Sequence, residues 1–151
     1  MAIVALGKIL DRCQDAEIQL EANYSEIRDR TADNGVRMLT YYLARHRHYQ
    51  KKVLGGLDPD MLRRLRKVKL KFDVPFDPTA ELRPPDFAPE SVNGIMLIEA
   101  AVSHDGKLVA LYRSILAQPL DDDVRAVLEA LIRVEERDIV MLKKMLAMRY
   151  F

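Results

Sequence analysis

The chain is 151 residues long, 49% apolar and 31% charged, with a net charge of +1 and one cysteine. That balance excludes a disordered polyelectrolyte, a disulfide-stapled scaffold and a Cys-type zinc cluster. It also gives no global reason to expect nucleic acid or an anionic membrane as a partner.

With 6 glycines and no tryptophan, against many Leu, Ala, Arg, Lys, Glu and Met, the composition favours helix in a single domain, residues 1–151. The opening apolar run, Met1 to Leu6, is too short for a signal peptide. No later stretch approaches the roughly 20 apolar residues of a membrane span. A soluble, cytoplasmic protein is expected.

The spacing predicts a first helix over residues 3–30, with an inward stripe of Leu6, Leu10, Cys13, Glu17, Leu20, Tyr24 and Ile27. Thr31 to Gly35 breaks it with turn formers and a glycine. A second helix is predicted over 36–54, with Val36, Leu39, Leu43, then Arg47 or His46, and Gln50 inward. A two-residue slide would instead turn Arg45 and His48 inward.

Gly55-Gly56 ends that helix, and six of the seven prolines fall in the following stretch, 55–89, which reads as a crossover. Within it, Asp58-Pro59 opens a short helix to about Leu65, and residues 67–72 alternate as an extended segment. The third helix, 90–117, carries Ile98, Ala101, Asp105, Leu108, Tyr112 and Ile115. The fourth, 122–149, carries Val124, Leu128, Leu131, Glu135, Asp138, Leu142 and Met145, with Asp121 to Asp123 at its positive end. The crossover makes the second and third helices parallel.

The halves match at an offset of 88. Glu17 meets Asp105, Tyr24 meets Tyr112, Val36-Arg37 meets Val124-Arg125, Leu43 meets Leu131, and Arg47 and Gln50 meet Glu135 and Asp138. Two hairpins, each with polar residues on an apolar stripe, outline an all-α bundle built around an internal site.

This pattern resembles the rubrerythrin branch of the ferritin-like proteins over all four helices, but not over the crossover. In that family each hairpin carries a Glu, a Tyr seven residues later, and a Glu-x-x-His on the return helix. The resemblance implies a ferritin-like four-helix bundle, with Glu17, Asp105, Glu135 and Asp138 at metal-ligand positions and Tyr24 and Tyr112 behind them. Arg47 and Gln50 depart from the pattern: a guanidinium repels metal, and an amide is a weak ligand. A degenerate site without cofactor is therefore expected, with Arg47 pairing to Glu135, Asp138 or Glu17 in place of metal. The alternative is one Fe, Mn or Zn ion on the carboxylates with His104 or His48.

Tyr24 and Tyr112 are expected to bond the nearby carboxylates, and Cys13 to be buried and inert. The basic run Arg63, Arg64, Arg66, Lys67, Lys69 and Lys71 reads as a solvated face. Apolar residues beyond the stripes (Tyr41, Tyr42, Ile132, Val140, Met141, Tyr150, Phe151) suggest a homodimer or a protein partner. The leading expectation is a non-catalytic bundle protein. A metal-dependent oxidoreductase or ferroxidase comes second, and a nucleic-acid or anionic-surface binder third.

Overall fold

The computed structural model describes residues 2–45, 48–72 and 78–148. The chain is mainly helical: β1 (Ala2–Ala5), α1 (Leu6–Arg30), α2 (Asn34–Arg45), α3 (Tyr49–Gly55), α4 (Pro59–Arg66), β2 (Lys69–Phe72), α5 (Pro78–Glu81), α6 (Gly94–Leu116) and α7 (Asp122–Met148).

Residues 2–5, of which 3–5 are predicted as the start of a helix, instead form a strand antiparallel to β2, with Val4 opposite Leu70. The extended segment around Leu70 thus has a partner that lies far away in the chain. Its other side is closed by Gln118, whose side-chain amide donates to the Lys71 carbonyl and accepts from the Lys71 N–H, both at 2.8 Å. This is a strand-like pairing supplied by one side chain, and it satisfies an edge that would otherwise be open.

The predicted second helix divides into α2 and α3, on either side of residues 46–48. Gly35 lies in the first turn of α2, where the Asp33 carboxylate accepts from the N–H groups of Gly35 and Val36. The third helix starts four residues later than predicted, because Asn93 is its N-cap and accepts from the Met96 N–H at 2.9 Å. The short helix α4 follows the Asp58-Pro59 signal, with Asp58 accepting from the Asp60 N–H.

The apolar core falls into two clusters, stacked along the helices. One holds the first part of α1 (Leu6 to Ala16), the second half of α6 (Leu108 to Ile115), the start of α7 (Val124 to Ile132), and Leu65, Leu70 and Leu82 from the crossover. The other holds the end of α1 (Leu20, Tyr24, Ile27), α2, the start of α6 (Leu97 to Ala101) and Leu142 near the end of α7. These memberships fix direction. The helices α1 and α7 run one way, while α2, α3 and α6 run the other.

The offset of 88 also holds in backbone detail. Arg37 donates to the carbonyl of Arg28, and Arg125 donates to that of Leu116, each nine residues back at the end of the preceding helix. Each arginine ties the first turn of a return helix to the orphan carbonyls of its partner helix. The two hairpins thus share a latch as well as an apolar pattern.

Candidate functional site

Between the two apolar clusters four helices contribute polar side chains: Glu17 from α1, Gln50 from α3, His104 and Asp105 from α6, and Glu135 and Asp138 from α7. Asp105 and Glu135 are each 1% exposed; Gln50, His104 and Asp138 are also buried. Glu17 is half-buried, so it sits at the rim of the layer rather than in its centre. Of the four carboxylates expected from the sequence, Asp105, Glu135 and Asp138 are buried and Glu17 is half-buried. Arg47 and His46, expected in the same layer, lie outside the described residues, as do Tyr150 and Phe151.

Ionised carboxylates in such a place are costly unless bonded, so the local bonds matter. The Gln50 amide nitrogen donates to the Leu10 carbonyl of α1 at 2.9 Å. Its oxygen accepts from the Tyr112 hydroxyl of α6 at 3.3 Å. One short helix is thereby stitched to two long ones. This corrects the expectation that Tyr112 bonds a carboxylate: its hydroxyl donates to an amide oxygen. Tyr24 is buried in the second apolar cluster.

Tyr49 was not anticipated. It lies just off the apolar stripe and is half-buried, yet its hydroxyl donates to Asp138 Oδ1 at 2.8 Å. Burial first, and then this bond, push the Tyr49 phenol well above its ordinary range. Tyr112 is raised for the same first reason, with Cys13, Glu135, Glu17 and Asp105 adding to the effect. The Cys13 thiol, also buried, is pushed up to about 12 by desolvation and then by Glu17 and Glu135. Groups that shift one another in this way form a single electrostatic unit.

The register of the second helix follows from burial. Val36, Leu39, Leu43 and Gln50 point inward, while Arg45 is exposed. His48 is at the surface side, with its Nε2 2.7 Å from Glu21 Oε1 of α1. His48 thus fastens α1 to the junction of α2 and α3 and does not face the carboxylates.

Gln50 has both ends of its amide bonded within the protein, and one oxygen of Asp138 accepts from Tyr49. Among the described residues, no group of three or more His, Cys, Asp or Glu is arranged to hold a metal ion.

The other candidates sort by exposure. Arg66 pairs with Asp11 through two hydrogen bonds at 2.9 and 2.7 Å, Arg64 with Asp123 and Arg63 with Asp60, so these three arginines are met by carboxylates. Tyr41, Val140 and Met141 are exposed, and Arg28 stacks on the Tyr41 ring at 4.7 Å. Ile132, grouped with them in the sequence reading, is not exposed. It is buried in the first apolar cluster, because α7 turns that flank toward α6. No helix of the described residues is long and apolar enough to cross a membrane.

No family model, curated protein or solved structure matches the chain.

Proposed function

We propose that the chain is a non-catalytic bundle protein of ferritin-like, rubrerythrin-like design, in which a hydrogen-bonded polar layer stands where a metal centre would, and that it acts by self-association or by binding a protein partner. The observation that carries this reading is the use made of Gln50. A side chain at a metal-ligand position spends its donor on Leu10 and its acceptor on Tyr112. The Tyr49 bond to Asp138 supports it from the other hairpin. Met38, Tyr41, Val140 and Met141 are among the exposed apolar residues that a contact face would use.

Metal analysis tests the first part. Protein produced in medium rich in iron, manganese and zinc, and purified without chelator, is expected to carry far less than one metal per chain. A stoichiometric ion would overturn it. Light scattering at micromolar concentration tests the second part, with a dimer mass expected and a monomer mass counting against it.

A second reading, a metal-dependent oxidoreductase, draws on the convergence of Glu17, Asp105 and Glu135 around Tyr112. Oxygen uptake on addition of iron(II) would favour it over the first.

A further inference from the structure

Helix α6 carries two stripes. The first (Ile98, Ala101, Asp105, Leu108, Tyr112, Ile115) faces the core. The second (Ala100, Ser103, His104, Lys107, Ala110, Leu111, Ser114) has helical spacing as well, but its small and polar residues are not what a core contact requires. Within this second stripe His104 and Leu111 are buried, while Ser103, Lys107, Ala110 and Ser114 stay exposed beside the crossover. Residues 81–86 lie over the groove between α1 and α6, with Leu82 buried as a plug in the first apolar cluster.

Packing beneath this strap is incomplete. On one side of Leu82 is a cavity of about 80 Å3 whose wall includes His104, Ser103, Lys107, Arg83 and Glu81. On the other side is a shallower space of about 300 Å3 against Leu111 and Ala110, sharing Glu81, Leu82 and Lys107 with the first. A single water needs only about 10–15 Å3 on such a measure, so the smaller cavity exceeds one solvent site. Pro84 and Pro85 form part of its wall and fix the backbone of the strap with few orphan donors.

The lining is chemically one-sided. Arg83 and Lys107 bring two positive charges and Glu81 one negative, while Ser103 and His104 add hydrogen-bonding groups from the same turn of α6. Leu20, Leu82, Ala100 and the two prolines make the remainder apolar. One net positive charge beside an alkyl-lined wall suits a monoanion with a short chain, more than a fully polar dianion such as phosphate.

We propose that the space beneath residues 81–86 is a binding site for a short-chain monocarboxylate, its carboxylate held by Arg83 and Lys107 with Ser103 and His104, and its chain lying against Leu20, Leu82 and Ala100. His104 immediately precedes Asp105, so an occupant would adjoin the buried carboxylate layer from the flank covered by the crossover. This site does not depend on whether the layer binds metal or the chain dimerises.

The test is titration of the full chain with sodium butyrate at constant ionic strength, followed by backbone amide chemical shifts. For a ligand of six heavy atoms the expected Kd is on the order of 1 mM. Saturable shifts are expected at residues 81–86 and 100–107. Arg83 and Lys107 are exposed, so R83Q/K107Q should fold normally and bind at least roughly tenfold more weakly, a loss of about 1.4 kcal/mol. Ala100→Leu, which fills the cavity from α6, should abolish the shifts while circular dichroism stays unchanged. The proposal is overturned if butyrate gives no saturable change at these amides, if R83Q/K107Q binds as well as the parent, or if inorganic phosphate produces the same shifts at equal affinity.

Discussion

The Tyr112 hydroxyl and the Gln50 side-chain oxygen meet at 3.3 Å inside the molecule, joining α6 to α3 in a layer that has apolar side chains above and below it. Replacing Gln50 with leucine leaves that phenol without its acceptor and the Leu10 carbonyl without its second donor. A buried polar group stripped of its partner costs about 1–3 kcal/mol. Urea denaturation of Q50L should show a loss in that range with little change in m-value. A neutral or stabilising result would mean that the amide is not structural.

Tyr49→Phe removes one hydroxyl and nothing else from the contact with Asp138. Bonds to charged acceptors contribute about 1.5–3 kcal/mol, and the half-buried position of Tyr49 places the expected loss near the lower end. In a double-mutant cycle with Asp138→Asn, the two losses should be markedly less than additive. Full additivity would indicate that the two side chains do not act together.

Alkaline pH should weaken the fold before general deprotonation does. The Cys13 thiol moves from 9.0 to about 12 on folding, and the Tyr49 and Tyr112 phenols are raised as well. A raised folded-state value contributes stability that is complete below the unfolded pKa and is lost as pH rises toward the folded one. For Cys13 that window is pH 9 to 12. Stability measured across it should fall, and should fall less steeply in Cys13→Ala. At pH 8 the thiol should react with a disulfide reagent only as fast as the protein opens. Rapid labelling of native protein would contradict its placement.

Gly7 is required by close packing. A Cβ there would lie 2.8 Å from Arg66 Cβ and 3.0 Å from the Arg66 carbonyl oxygen, atoms at the root of a residue that cannot swing aside. Gly7→Ala would normally help a helix by up to about 1 kcal/mol. Here it should instead lower stability by about 1–3 kcal/mol through overpacking. A raised melting temperature would show that α4 can shift away from α1.

The long helices and their stripes were legible because each has many periods over which apolar residues repeat. Asp105, Glu135 and Asp138 could be picked out as buried carboxylates for the same reason. The start of the chain was not legible. Ile3, Val4 and Ala5 continue a helical pattern, and what makes them a strand is Leu70 and its neighbours, more than sixty residues away. α2 and α3 are separate helices although residues 36–54 contain no proline or glycine, and Tyr49 lies off the stripe, so its bond to Asp138 depends on the exact phase of α3. His104 was read as an outside candidate because it neighbours the stripe. It is buried because the crossover lies over it, a contact that local periodicity cannot express.

The two apolar clusters divide the molecule across its length, and each takes residues from both matching halves of the sequence. Neither helical hairpin therefore owns a core. A fragment ending at Gly56 would hold Leu6, Leu10, Tyr24 and Leu43 against water, and the α6–α7 segment would do the same with Leu108 and Leu142. Synthesised separately, each piece should remain largely unfolded. Mixed, they should assemble as strangers that complete one another's interior, so the ancestral-looking unit of this repeat is not a unit of stability.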